Sequence, residues 1–225
     1  MAGKGLVKLL GFSISPYVNR VQISLNLKSI DYEFLKETFG TKSELLLKSN
    51  PVHKKMPVLI HEDKPICESL IIVQYIDELW TSGPIILPTD PYHRAIARFW
   101  VAYVDDKLFP SMMEYRIAAE EEKPAALEKV KEGFALLEEA FVKSSKGKAY
   151  FGGENIGYLD IALGSLLGWV KAGEMMAGLK FLEESNTPNL VLWAENFLSH
   201  EAVNGVIPET DVIVGVAKLI DGSRN

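Results

Sequence analysis

The stretch Gly11-Phe12-Ser13-Ile14-Ser15-Pro16-Tyr17 decides how the first half of the chain is read, because an apolar run ends in it and a helical pattern begins. Before it, Val7 to Phe12 is apolar except for Lys8, as suits a strand buried on one or both faces. After it, Val18, Val21 and Leu25 recur at the spacing of one helix face, and the pattern fades near Lys28-Ser29. Ser followed by Pro fits an ordinary helix start, with Ser as N-cap and Pro as first helical residue. The position has a second reading. A hydroxyl at the mouth of a helix that follows a buried strand lies beside unpaired amides and the positive end of the helix dipole, where an anion is readily held.

Working outward, Tyr32, Phe34 and Lys36 alternate with their neighbours and predict a strand over Asp31 to Glu37. Strand, helix and strand make a βαβ unit, with parallel strands and a right-handed crossover. A short helical piece is expected at Ser43 to Lys48. Met56 to His61 and Pro65 to Cys67 flank the polar Glu62-Asp63-Lys64 and read as a hairpin. A helix then starts at Ser69, its expected N-cap, with Ile72, Tyr75, Ile76 and Leu79 on the apolar stripe.

Thr81 to Pro91 contains Gly83, Pro84, Pro88 and Pro91 and breaks all periodicity. The predicted organisation is therefore a first domain over 1–83, a linker over 84–91 and a second domain over 92–225. The second carries helical spacing throughout, at Tyr92–Tyr115, Ala125–Val142, Leu159–Ala172, Asn189–Ser199 and Thr210–Ile220.

Composition narrows the function classes. The chain has 225 residues, 48% of them hydrophobic, and a net charge of −6 with no basic run, which speaks against nucleic acid or an anionic membrane surface as main partner. No segment reaches the roughly 18 apolar residues of a membrane span, and Met1 to Gly5 lacks the apolar core of a secretory leader. A cytoplasmic setting is the expectation. One cysteine, Cys67, excludes an internal disulfide and a multi-cysteine zinc site, and His53, His61, His93 and His200 show no ligand spacing, so no metal is expected.

The order of elements, with Ser-Pro after the first strand and Pro57 opening the third, resembles the soluble glutathione transferases: an α/β thioredoxin-like N-terminal domain and an all-α C-terminal domain. Phe12-Ser13-Ile14-Ser15-Pro16-Tyr17, Asn50-Pro51-Val52-His53-Lys54-Lys55-Met56-Pro57-Val58-Leu59 and Cys67-Glu68-Ser69-Leu70 resemble the plant tau class in particular. The likeness covers nearly the whole chain.

The resemblance implies glutathione as co-substrate, with no other cofactor. Glutathione carries two carboxylates, one amine and a thiol of pKa roughly 8.5, like Cys. Its γ-glutamyl end is then expected on Glu68, facing the amine, and on Ser69 with the first helical amides, receiving the carboxylate. Lys42 and Lys55 are the cations for the glycyl end. Met56-Pro57 is a cis peptide bond in the family, and the Met56 backbone would pair with the cysteinyl part as an added strand does.

Ser15 would donate to the sulfur and favour thiolate. Lowering a thiol pKa by two units needs about 2.7 kcal/mol. One hydrogen bond to a charged group contributes about 1.5 to 3 kcal/mol, and a helix terminus roughly 0.3 to 1 kcal/mol. Hydroxyl and helix therefore suffice without a protein base. Ser13 is the rival hydroxyl, since an extended approach would point both serines to one side.

The electrophile is expected between the Ser15 loop and the helices after Pro91, against Phe12, Ile14, Tyr17, Phe109, Met113, Trp169 and Val216, the positions the resemblance supplies. Arg116 is expected to be exposed, with an acidic substrate as its other use. Gly157-Tyr158-Leu159-Asp160 resembles the family's capping box, which makes Asp160 structural. The implied reaction is conjugation of glutathione thiolate to a hydrophobic electrophile, or reduction of an organic peroxide, by a homodimer. A non-catalytic carrier of apolar compounds is the second reading. A thiol oxidoreductase is the third, and it lacks a cysteine where Ser15 stands.

Overall fold

The computed structural model describes residues 6–38 and 40–222, so Met1 to Gly5, with the leader reading that falls on it, lies outside the described residues. The described residues form two units: those up to Ile85 together with Glu201–Pro208, and Ile86–His200 together with those from Glu209 on. Glu201–Pro208 lies within the expected 92–225 region yet groups with the first unit. The reason is specific. The side-chain amides of Asn19 and Asn26 donate to the carbonyls of Val206 and Ala202, at 3.2 and 2.9 Å.

The first unit runs β1 (Val7–Gly11), α1 (Pro16–Leu27), β2 (Glu33–Lys36), α2 (Glu44–Ser49), β3 (Val58–His61), β4 (Lys64–Cys67) and α3 (Ser69–Leu79). The strands order as β2-β1-β3-β4, with β1 parallel to β2 and β3 antiparallel to both its neighbours. This is the expected βαβ unit followed by a hairpin and a helix, with every strand at or inside its predicted range except β4, which starts one residue earlier.

The apolar run of β1 is buried on both faces. Val7 and Leu9 pack with Val18, Val21 and Leu25 of α1 and Ile72 and Ile76 of α3, whereas Leu10 joins Leu46 of α2, Val58 and Ile60. Side-chain alternation along the strand divides the two layers. Each such burial contributes about 1.5 to 3 kcal/mol. A largely buried ion pair is built into this half: Lys28, just after α1, meets Asp77 of α3 at 2.7 Å with its side chain 1% exposed.

The second unit holds α4 (Pro91–Tyr103), α5 (Phe109–Ile117), α6 (Lys123–Ser145), α7 (Tyr158–Gly164), α8 (Leu167–Ala177), α9 (Pro188–Ser199) and α10 (Thr210–Gly222). Two predicted helices are each interrupted. Between α4 and α5 the chain makes a wide π turn over Val104–Leu108, in which the Phe109 N–H reaches back five residues to the Val104 carbonyl. Pro110 has no N–H for the ordinary ladder, and the widened turn accommodates that.

The break between α7 and α8 has no proline. The Ser165 hydroxyl turns back onto the Ala162 carbonyl at 3.0 Å, and the Leu166 N–H onto Leu163, also at 3.0 Å, tightening the turn. Phe197 of α9 lies so close to Gly164 that a Cβ there would come within 2.3 Å of its ring. Asp160 anchors this half. Its carboxylate is 0% exposed and accepts from the N–H groups of Phe151, Gly152 and Gly157 and from the Trp193 indole, all at 2.7 to 2.9 Å. Burial pushes the Asp160 carboxyl up to about 6 although all four donors pull it down. Among the described residues no helix is long and apolar enough to cross a membrane.

Candidate active site

The sheet topology gathers one end of every strand. Because β2 and β4 run parallel to β1 and β3 runs against them, the C-terminal ends of β1, β2 and β4 and the N-terminal end of β3 form one edge. The register fixes this edge: Gly11 faces Lys36, Leu10 faces Val58, and Val58 faces Cys67. Each connection there carries residues singled out from the sequence. Ser15 follows β1, Lys42 follows β2, Lys55-Met56-Pro57 precedes β3, and Glu68-Ser69 follows β4.

Ser15 occupies the N-cap position of α1 with an extended backbone, φ −73° and ψ 119°, but its side chain makes no capping hydrogen bond. Its carbonyl takes the N–H groups of Val18 and Asn19, both at 3.0 Å. The approach to it is a tight turn: the Ser15 N–H donates to the Phe12 carbonyl at 2.9 Å. This overturns the expectation of an extended approach, so strand alternation no longer places Ser13 and Ser15 on one side. The Ser13 carbonyl accepts from the Asn19 side chain at 2.9 Å. Ile14 is buried, while Phe12, Ser13, Ser15 and Tyr17 are half-buried.

Glu37, 5% exposed, ties the end of β2 to the start of α2. Its N–H donates to the Gly11 carbonyl at 2.8 Å, and its carboxylate accepts the Ser43 hydroxyl at 2.6 Å and the Ser43 N–H at 3.2 Å. The Ser43 oxygen in turn caps α2, accepting from the Leu46 N–H at 3.0 Å. Lys42, the preceding residue, is exposed.

Asn50, 2% exposed, holds the next loop from inside. Its side chain donates to the Lys55 carbonyl at 2.8 Å and accepts the His53 N–H at 3.0 Å. Lys55 itself is exposed. The Met56-Pro57 peptide bond is cis. Met56 is half-buried with its side chain against the β1 core, and Pro57 is buried.

At the start of α3 the N-cap position belongs to Glu68, not to the expected Ser69, which is the first helical residue. Glu68 has φ 71° and ψ 115°, a conformation that costs a non-glycine residue about 1 to 3 kcal/mol. Its side chain is 53% exposed, with the His53 ring nitrogen 3.9 Å away. Ser69 is 7% exposed and accepts from Nη1 of the fully buried Arg20 at 3.5 Å, and the Arg20 guanidinium also lies 4.9 Å from the Tyr17 ring centre. Burial, and then the Glu68 charge, push the Cys67 thiol up, away from thiolate chemistry.

In the second unit, Phe109 and Met113 of α5, Trp169 of α8 and Val216 of α10 are all half-buried. Arg116 departs from its expected exposure. Its side chain is 15% exposed, paired with Asp221 at 2.7 Å and lying over Trp169. Among the described residues no group of three or more His, Cys, Asp or Glu is placed to hold a metal ion.

Arg20, Glu37 and Asn50 are the residues that sequence reading passed over. Each is polar, and periodicity assigns polar residues to the surface. The one available signal was position: Arg20 stands on α1 between the core residues Val18 and Val21.

Comparison with known proteins places the chain in a family. Residues 6–78 match the family described as Glutathione S-transferase, N-terminal domain, and residues 97–201 match Glutathione S-transferase, C-terminal domain. Glutathione S-transferase U18 of Arabidopsis thaliana is 59% identical over 220 residues, 97% of each chain. The tau-class glutathione S-transferase of mango, Mangifera indica, is 60% identical, with a TM-score of 0.93 over 97% of this chain and all of that one. A rice glutathione transferase solved in complex with glutathione is 32% identical, with a TM-score of 0.86 over 96% of this chain and 98% of that one. The chain belongs to the glutathione S-transferases, and within them to the tau class. Its two parts are the thioredoxin-like and all-helical portions of that architecture.

Proposed function

We propose that this enzyme conjugates the thiolate of glutathione to hydrophobic electrophiles, as in detoxification, and reduces organic hydroperoxides with the same thiolate. The observation that carries the reading is the shared sheet edge, at which Ser15 keeps its hydroxyl out of helix capping. That hydroxyl donates to the glutathione sulfur. The thiol proton leaves to solvent and the sulfur attacks the electrophilic carbon; at an aryl halide the leaving group departs with its electron pair, and at an isothiocyanate or enone the displaced π electron pair takes a proton from solvent. In the peroxide reaction two glutathione molecules give one disulfide, with alcohol and water as the other products.

Glu68 meets the glutathione amine and Ser69, backed by Arg20, its γ-glutamyl carboxylate. A carboxylate held in a costly backbone conformation at this edge supports a ligand role for Glu68. Lys42 and Lys55 take the glycyl carboxylate, and the backbone of Met56, ahead of Pro57, takes the cysteinyl part. Phe12, Ile14 and Tyr17 of the first unit and Phe109, Met113, Trp169 and Val216 of the second are the proposed electrophile contacts. In this reading the 1–83 domain binds glutathione, 84–91 is a linker, and 92–225 serves the electrophile.

The enzyme acts as a cytoplasmic homodimer. The exposed Tyr92, Ile96 and Phe99, one helical face of α4, support an apolar two-fold contact. Sedimentation velocity tests that state. The function is tested by calorimetry with glutathione and by assays with an aryl halide, an isothiocyanate and a hydroperoxide. Glutathione binding with turnover of at least one is expected. Binding of glutathione and apolar ligands with no turnover of any would replace the enzyme by the carrier.

A further inference from the structure

We propose that Arg116 is an anion-recognising residue of the electrophile site, so that the enzyme favours aromatic electrophiles bearing a carboxylate. The inference rests on the conjugating function above and names its substrate class.

Phe109, Met113 and Arg116 succeed one another at i, i+4 and i+7, which places them on one face of α5. The Arg116 guanidinium carbon lies 5.8 Å from the Trp169 ring centre. An indole, a phenyl ring and a thioether thus accompany one fixed positive charge, a set suited to an apolar body with a single negative group.

The hydrogen bonding of that guanidinium is lopsided. Nη2 donates twice, to the Ala217 carbonyl at 2.9 Å and to Asp221 Oδ1 at 2.7 Å, while Nε is buried with no acceptor among the described residues. Arginine binds a carboxylate most strongly through two parallel N–H groups, and Asp221 engages only one nitrogen. The Asp221 side chain is 40% exposed against 15% for Arg116, so the aspartate is the member that can move into water. A ligand carboxylate then takes Nη2 and Nε together. The buried charge stays paired throughout, which avoids the cost of stranding it.

The test uses an aryl enone carboxylic acid and its methyl ester, with the full-length enzyme and its Arg116→Met and Asp221→Asn variants. Affinity is read by tryptophan fluorescence quenching without glutathione, and turnover as kcat/KM with it. The wild type is expected to favour the acid about tenfold in both readouts, the scale of one charge-assisted pair. Arg116→Met erases the preference, the acid losing about tenfold more than the ester, in line with a single charge-assisted contact. Asp221→Asn, a change at a half-exposed side chain, strengthens the preference by removing the competitor. Equal binding of acid and ester by the wild type overturns the proposal, as does an equal loss of both in Arg116→Met or a weakened acid preference in Asp221→Asn. A binding preference with no conjugation of either compound refutes the proposed function and leaves the recognition by Arg116 standing.

Discussion

The starts of α1 and α7 meet the same problem, a first turn of amides with no helical partners, in opposite ways. At α7 the buried Asp160 gives both oxygens to four donors at 2.7 to 2.9 Å, three of them backbone amides on two segments and the fourth the Trp193 indole. At α1 the half-buried Ser15 stands in the cap position with its hydroxyl in no capping bond, and Pro16 removes one of the amides that would need a partner. A cap that serves stability is buried and saturated. The cap position proposed to serve chemistry keeps its side chain out of capping and lets proline and turn geometry set the helix start.

The largest way to break this contrast is at Asp160. Asp160→Ala strands four donors inside the second unit and should destabilise it by about 4 kcal/mol, within the range for losing a buried charged partner. In a chain of this size that lowers Tm by roughly 10 °C. The group also predicts a pH dependence. Its folded-state pKa lies near 6, above the ordinary 3.8, so the folded protein holds the proton more tightly than the unfolded chain. The stabilisation from that proton is complete below about pH 4 and is lost as pH rises through about 6, a change of about 3 kcal/mol. Urea denaturation of the wild type and Asp160→Asn from pH 4 to 7 measures it. A stability difference that stays constant with pH would contradict the assignment.

Ser15→Ala should show the reverse pattern. Loss of one hydrogen bond to a thiolate predicts a fall in kcat/KM of roughly 10- to 150-fold and a rise of about 1 to 2 units in the pKa of bound glutathione. Because no capping bond is lost, stability should change by less than about 0.5 kcal/mol. Thiolate absorbance titration and thermal melts separate the two readouts. A Tm loss of several degrees with the thiol pKa unmoved would make Ser15 an ordinary cap.

How far these sites were legible follows from what periodicity can see. The strands and most helix positions follow from apolar spacing, and the residues at the shared sheet edge stand in long, distinctive strings around Ser15, Met56-Pro57 and Glu68-Ser69. The interruptions at Val104–Leu108 and between Gly164 and Leu167 do not show in such spacing. One answers a proline's missing N–H, and the other accompanies the packing of Phe197, some 30 residues on, against Gly164. The burial of Arg20, Glu37, Asn50 and Arg116 escaped for a related reason. A charged or amide side chain reads as surface until its partners, at Ser69, Ser43, Lys55 and Asp221, are brought to it by the fold. The grouping of Glu201–Pro208 with the first unit depends likewise on two asparagines more than 170 residues away.

Between the two extremes stands the start of α2, where Ser43 is a working cap and Glu37 holds it beside Lys42. Glu37→Ala leaves the Ser43 hydroxyl and N–H without their acceptor and should cost about 1 kcal/mol of stability. If the network also positions Lys42, KM for glutathione rises about threefold with kcat unchanged, the signature of lost ground-state binding. γ-Glutamylcysteine, which lacks the glycyl carboxylate, should be bound as well by the variant as by the wild type. Equal weakening toward both thiols would reduce Glu37 to a stability role.

The smallest expected effect is at Ser13, and it sharpens the contrast most. Ser13 lies inside the turn closed between Phe12 and Ser15, and the one contact established for it is its carbonyl, which accepts the Asn19 amide. Alanine keeps that carbonyl, so the turn and the placement of Ser15 survive. Ser13→Ala should therefore leave kcat/KM within about twofold, the scatter of a substitution away from a critical contact. The bound thiol should keep its pKa. Equal losses in Ser13→Ala and Ser15→Ala would mean that the open position at the start of α1 is no more specialised than its neighbour. A loss in Ser13→Ala alone would transfer the activating role to it, and Ser15 would remain a helix start whose hydroxyl has no chemical task.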